Sequence, residues 1–262
     1  MSTAKPTPPP QAAATATPRR KRPKLGEAIA NDLRRMIVDG TLEAGTNLSG
    51  EDDLAAQFGV SRPTMREAIR ILEAEALLTP SPTSYGALVI TRPHPGMATK
   101  YLGLLMQSEG VTLSDIYQAR DIFEPAAVRI VAETKGAEAA EVLAALIARR
   151  RLVMPNWPAE VALTVSFHEA LMELSGNKTL ALLLKVFHNI FERHLGRARA
   201  QRDQSLDDDA RSFALSAHER LVALIRDGRG AEAEAFWTQH LQTTRERYLR
   251  LRELDHVIDM LD

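Results

Sequence analysis

The chain has no cysteine. That excludes structural disulfides, thiolate metal sites and a cysteine nucleophile. Aromatic residues make up only 5% of its 262 positions, while Ala, Leu, Arg and Glu are abundant, a balance that favours helix. No run approaches the roughly 20 apolar residues of a membrane span. The N-terminus is polar and proline-rich and lacks the apolar core of a signal peptide, so a cytoplasmic protein without membrane contact is expected. Strong net charge is also missing. The formal value is −1, with 12 Lys and Arg against 10 Asp and Glu up to Arg92 and 21 against 24 beyond. This balance does not decide for or against a nucleic-acid partner. No P-loop, dinucleotide glycine run or nucleophile elbow occurs. What is present is 45% apolar content over 262 residues, enough for two domains of ordinary size.

The most informative stretch is EDDLAAQFGVSRPTMREAIRILEAEA, Glu51 to Ala76. Its spacing predicts a short helix from Glu51 to Phe58, a stop at Gly59, and a second helix capped by Ser61, whose hydroxyl is placed to accept a first-turn N–H. Pro63 sits in that first turn, where its missing N–H costs little. Met65, Ala68, Ile69 and Leu72 make one apolar stripe, leaving Arg62, Thr64, Arg66 and Arg70 outside it. Such a helix suits the major groove: guanidinium forks match guanine edges or phosphates, and short hydroxyls fit beside them. An ordinary solvated helix pair is the plainer alternative.

Around it, residues 1–18 are Pro, Ala and Thr and predict disorder. Arg19, Arg20, Lys21, Arg22 and Lys24 complete a basic arm, residues 1–24, suited to DNA phosphates or simply to solvent. Leu25 to Asp39 is amphipathic through Ile29, Leu33, Met36 and Ile37. Leu42 to Leu48 carries a turn at Ala44-Gly45. Leu77-Leu78 and Gly86 to Thr91 flank a polar turn and predict a two-stranded β-wing, closing a domain over 25–92. Arg92 to Gly96 reads as a linker. Beyond it helices are predicted near 97–108, 112–134, 137–152, 159–175, 178–202, 206–228 and 231–257. They form an all-α bundle of six to seven helices over 97–257.

In the bundle, His168, His218 and His240 fall on three different helices, each beside apolar neighbours. Converging imidazoles can hold a divalent metal, and a packed structural histidine is the commoner use. Arg120 shares a helix with Ile116, Phe123 and Ala127. Turned inward, it needs an anion, from a ligand or from Glu124 one turn on. Arg149 to Arg151 read as a solvated helix end. Arg197 and Arg199 reach the bundle interior or not, which spacing alone leaves open. His188 and His194 show no pattern, and Trp157 and Trp237 read as packing.

GTLEAGTNLSGEDDLAAQFGVSRPTMREAIRILEAEALL followed by YGALV resembles the winged helix-turn-helix of the GntR regulators. The resemblance implies that Ser61, Arg62, Thr64 and Arg66 meet double-stranded operator DNA and that the wing tip near Gly86 enters the minor groove. Asp52 stands where the family often has a basic phosphate contact, and Ala76 where glycine is usual, which suggests a different exit from the helix. The bundle resembles the FCD effector domain of FadR-type members. DIYQARDIFEPAAVRIVAE matches its signature with Arg120 and Glu124, SFHEALMELSGNKTL matches the segment of its first histidine, here His168, and His218 and His240 match the last two. The resemblance implies a small organic acid effector at Arg120, His168, His218 and His240, and zinc or nickel on His168, His218 and His240; a homodimer is expected because a single recognition helix reads few base pairs. Thr164 replaces the aspartate that completes the metal set. Two readings result: a metal on three histidines with water, effector or Glu160, or histidines acting directly on an anionic ligand. The expectation is a ligand-responsive regulator, a repressor acting on an inverted repeat, rather than an enzyme. The alternative is a metal-dependent hydrolase using the histidine cluster, although His168-Glu169-Ala170-Leu171-Met172 lacks the second histidine of a zinc-protease helix.

Overall fold

A computed structural model describes residues 24–83, 86–153, 156–199, 208–250 and 256–260, without the side chains of residues 157, 194–199, 208–210 and 248–250. The basic arm up to Arg22 and the side chains of Trp157, His194, Arg197 and Arg199 thus lie outside the described part of the chain. The chain separates into two compact units, Met1–Pro93 and His94–Asp262.

The first unit runs α1 (Leu25–Val38), β1 (Asn47–Leu48), α2 (Glu51–Gln57), α3 (Arg62–Ala74), β2 (Leu78–Pro80) and β3 (Leu88–Ile90). Ile29, Leu33 and Ile37 of α1 bury with Leu54 of α2, with Met65, Ala68, Ile69 and Leu72 of α3, and with Leu78, Leu88 and Ile90 of the sheet. Burial of this kind contributes about 1.5–3 kcal/mol per large side chain. The Arg34 guanidinium grips both oxygens of Glu75, at 2.7 and 2.6 Å, and ties α1 to the end of α3.

The wing has three strands where two were expected. β3 is central and antiparallel to both neighbours, with Asn47 opposite Val89 and Thr79 also opposite Val89. Gly45 reverses the chain at φ +86. Its N–H then donates to Ile90 at 2.8 Å, and the Ile90 N–H to Thr46 at 3.0 Å, so the turn segment becomes an edge strand. Two residues are too few to leave an alternation signal.

Two local expectations also change. The Ser61 hydroxyl makes no cap bond; it faces the Thr64 hydroxyl at 2.8 Å instead. Ala76 does not mark a different exit from α3. It adopts φ +53, with its N–H on Glu73 and the Leu77 N–H on Leu72, which is the bonding of a glycine-type left-handed stop.

The second unit runs α4 (Pro95–Ser108), α5 (Leu113–Val153), α6 (Trp157–Leu174), α7 (Lys178–Arg199), α8 (Asp208–Arg226) and α9 (Gly230–Arg250). α5 bends at Gly136 (φ 21, ψ −100), where the sequence suggested a break between two helices. It is the central element: α6, α8 and α9 all pack on it. Val128, Val131, Leu143, Phe167, Leu171, Leu221, Ile225 and Trp237 fill the shared core. The last helix is described only to Arg250, short of the expected 257. Val257 instead bridges to Thr112, and Ile258 and Met260 bury against α4, α5 and α7 beside Leu113, Ile116 and Ile190. Among the described residues no helix is long and apolar enough to cross a membrane.

Candidate functional site

The first unit offers one face of α3. Arg62, Arg66 and Arg70 are exposed, Thr64 is half-buried, and the apolar stripe opposite is buried. The split follows from side-chain spacing on a 3.6-residue helix. Both arginines of the first turns are held by α2. Arg66 meets Glu51 through Nη2 at 2.8 Å and Nε at 3.1 Å, and Arg62 Nε meets Asp52 at 2.9 Å. The acidic first turn of α2 suits the positive end of its helix dipole. It also orients two guanidiniums on an exposed surface, where such pairs are worth little and exchange readily for other anions. Gly86 turns at φ +77 with open space around it. Ser61, Arg62, Thr64 and Arg66 thus share one patch of α3, and Gly86 lies in the wing.

The second unit contains a cavity of about 130 Å³. Helix periodicity explains its walls. α6 contributes Glu160, Val161, Thr164, Val165 and His168, a stripe over two turns. α8 gives Arg211, Ala214 and His218, and α9 gives His240, Leu241 and Thr244. α5 supplies Tyr117, Arg120 and Arg150, and α7 supplies His188 and Phe191. The structure therefore brings Arg120, His168, His218 and His240 to one cavity. His188, for which the sequence showed no pattern, joins them.

At one end Glu124 is fully buried and accepts three donors: Arg120 Nε at 2.5 Å, His168 Nδ1 at 2.8 Å and Trp237 Nε1 at 3.2 Å. Burial works against the Glu124 carboxylate, but Arg120 and His168 outweigh it and hold its pKa below the usual carboxylate range. An ionised carboxylate only accepts, so His168 carries its proton on Nδ1 and keeps Nε2 as an acceptor. The 3.2 Å approach of Arg120 Nη2 to that same Nδ1 is then a contact between two donors, not a hydrogen bond. Trp237, read from sequence only as packing, is part of this polar set; a donor-only indole N–H gives no sequence signal of its partner.

Burial also pushes down the pKa of His168, His188 and His218, and that of His240 to about 3. Neighbouring His168, Arg150 and Arg120 add to the effect on His218 and His240. All four imidazoles are therefore neutral at pH 7. The His218 ring stacks on Phe167 at 4.1 Å and that of His240 on Trp237 at 4.7 Å, which fixes both orientations.

At the other end Arg150 is not the solvated residue expected of an Arg-Arg-Arg helix end. It is 4% exposed and donates through Nη2 at 2.8 Å and Nε at 3.1 Å to Glu160, which also receives Arg211 at 2.5 Å. A charge run gives no clue to which member points inward. Among the described residues, six buried side-chain polar atoms have no hydrogen-bond partner, and four belong to residues lining this cavity: Arg150 Nη1, His218 Nδ1, His240 Nδ1 and Thr244 Oγ1. Native interiors rarely concentrate such groups, so the cluster marks a place that something polar completes.

The histidines as placed do not fit a resident zinc or nickel. No group of three His, Asp or Glu among the described residues is close enough to hold a metal ion. The two extra ligands considered from sequence are engaged elsewhere. The Thr164 hydroxyl donates back to the Glu160 carbonyl at 3.0 Å, and the Glu160 carboxylate is taken by two arginines.

Residues 25–84 match the model of the bacterial regulatory proteins of the gntR family, and residues 115–243 match the FCD domain. The chain is 29% identical over 179 residues to YieP of Escherichia coli K12, described as an uncharacterised HTH-type transcriptional regulator, covering 65% of this chain and 76% of that one. It is 26% identical over 230 residues to the transcriptional repressor NanR of the same organism, covering 85% and 83%. A solved GntR structure from Streptococcus agalactiae superposes with a TM-score of 0.61 at 22% identity, over 85% of this chain and 99% of that chain, a likeness of fold. These relatives are transcription regulators, not enzymes, and nothing supports a hydrolase built on the histidine cluster. The chain belongs to the GntR family of transcription regulators and joins a winged helix-turn-helix to an FCD domain.

Proposed function

We propose that the protein is a repressor that binds an inverted-repeat operator as a homodimer and is controlled by a small carboxylate held in the cavity of the second unit. The cavity carries this reading: a buried guanidinium, neutral imidazoles and a cluster of polar atoms without hydrogen-bond partners, all within a helical bundle. Arg120 contacts the acid, and His168, His218 and His240 orient it without a metal. NanR, similar over most of both chains, is itself described as a repressor. Ser61, Arg62, Thr64 and Arg66 meet the major groove, and Gly86 places the wing at the minor groove. One recognition helix reads few base pairs, so two copies on two half-sites are needed. Effector and operator affinities are then reciprocally coupled. The protein acts in the cytoplasm, where its operator lies.

The test begins with a duplex selected by the protein from random sequences. A panel of small carboxylates is screened for thermal stabilisation, and active compounds for release of that duplex. Arg120→Ala should abolish release and leave duplex affinity within about twofold. Release that survives Arg120→Ala places the effector elsewhere. Stoichiometric zinc or nickel in the purified protein, lost in His168→Ala, would replace the metal-free reading with a metal-dependent one.

A further inference from the structure

The cavity has two polar ends. Glu160 and His168 are eight residues apart on α6, roughly 12 Å along an axis rising about 1.5 Å per residue. Arg211 and His218, seven apart on α8, span about 10 Å by the same rise. Arg120 lies at the His168 end, bound to Glu124, and Arg150 at the Glu160 end. Between them the α6 stripe is Val161, Thr164 and Val165. The interior is thus an elongated slot with a guanidinium at each end and a mainly apolar middle.

The Arg150 end is incompletely satisfied. Nε and Nη2 both spend their hydrogens on one oxygen, Glu160 Oε1, and Nη2 has a longer contact of 3.5 Å with the Arg211 carbonyl. Among the described residues Nη1, though buried, meets no acceptor, and the buried hydroxyl of Thr244, which lines the same cavity from α9, has no hydrogen-bond partner either. A guanidinium has only donors. What completes this end must therefore bring an oxygen acceptor, and a carboxylate is the strongest kind.

We propose that Arg150 and Thr244 form a second anchor, and that the effector is an acid with an acceptor at both ends, best met by an aliphatic dicarboxylate. This rests on the cavity being the effector site. Arg120 takes one carboxylate and the Arg150 Nη1 hydrogens and Thr244 hydroxyl take the other.

The test compares succinate, glutarate and adipate with butyrate, pentanoate and hexanoate, titrated calorimetrically into the full-length protein. At least one diacid should bind ten times more tightly than the monoacid of equal chain length. Arg150→Gln should reduce that preference below threefold, and Arg120→Ala should weaken the binding of both series. Monoacids binding as tightly as diacids would overturn the second anchor and leave the effector cavity standing. Full diacid preference in Arg150→Gln would do the same. Binding of neither series to the wild-type protein would remove both readings. If Arg150→Gln does not fold, the wild-type comparison and Thr244→Val decide, the latter expected to lower the diacid preference at least threefold; an unchanged preference would overturn the second anchor.

Discussion

Glu124→Gln tests the electrostatic account of the cavity most directly. Glu124 is fully buried and is the anion bonded to Arg120, itself 8% exposed, in the hydrogen-bonded set with His168 and Trp237. The amide keeps the shape and removes the charge. Leaving a buried guanidinium without its counter-charge costs about 3–5 kcal/mol. The amide offers one acceptor oxygen to three donors, so another donor is stranded, at about 1–3 kcal/mol. A total near 4 kcal/mol is expected after partial relaxation, roughly the lower part of that combined range. Urea unfolding monitored by helical circular dichroism and by tryptophan fluorescence measures it. Arg120→Met should cost about half as much, because Glu124 keeps two N–H donors and His168 can charge to replace the lost cation. A loss below about 1 kcal/mol in Glu124→Gln, or the reverse ranking of the two variants, would refute the assignment of Glu124 as the organising charge.

Three further outcomes concern the buried histidines, Ala76 and Asp52. Burial depresses the pKa of His168, His188, His218 and His240, the last to about 3, so the unfolded chain, with histidine near 6.5, takes up protons first. Stability should be full above about pH 6.5 and fall by about 1.4 kcal/mol per pH unit for each such histidine as pH drops through the window below it; urea midpoints equal at pH 7.5 and 5.5 would contradict this. Ala76→Gly removes a left-handed strain of about 1–2 kcal/mol at φ +53 and gives back part of it in unfolded-state entropy. A net gain of about 0.5–1 kcal/mol in the thermal stability of the first unit is expected, and a loss would show that the alanine side chain has a packing role. Asp52→Arg frees Arg62 and adds a cation beside it, so the log–log salt dependence of duplex binding should steepen by about one, and an unchanged slope would place this position away from the phosphates.

The parts legible in sequence were those written in helical periodicity. Met65, Ala68, Ile69 and Leu72 announced the buried side of α3 because each is apolar and the residues between are not. His168, His218 and His240 were found together, and their resemblance to an FCD set carried more weight than spacing. What was not legible depends on one rotamer or one long-range partner. Arg150 is one of three consecutive arginines, and only the packing of α6 and α8 decides that it, and not Arg149, meets Glu160. Glu124 was visible as an i, i+4 partner of Arg120, but its bonds to His168 and Trp237 cross 44 and 113 residues of chain. β1 escaped notice because its two residues pair through β3, formed about 40 residues later.

The segment 256–260 shows how cooperativity limits the damage a substitution can do. Ile258 is fully buried, and its N–H donates to the Val111 carbonyl at 3.0 Å. Met260 fills the space where a Cβ on Gly103 would stand, and its N–H donates to Gln107 at 2.9 Å. Burying two large side chains contributes about 3–6 kcal/mol. Ordering five backbone residues costs about 5–10 kcal/mol, offset in part by the hydrogen bonds. The net hold of the segment on α4 and α5 is therefore small, however deeply its two side chains are buried. Once it detaches, further loss inside it adds nothing. Ile258→Ala, Met260→Ala and deletion of residues 256–262 should then cost the second unit nearly the same, within about 0.5 kcal/mol of one another, although substitutions at sites so buried ordinarily cost about 2–5 kcal/mol each. Amide exchange at Ile258 and Met260 should report the same small opening free energy at both sites. Separate, additive costs for the two substitutions, or exchange as slow as in α5, would show that the segment is instead an integral part of the core.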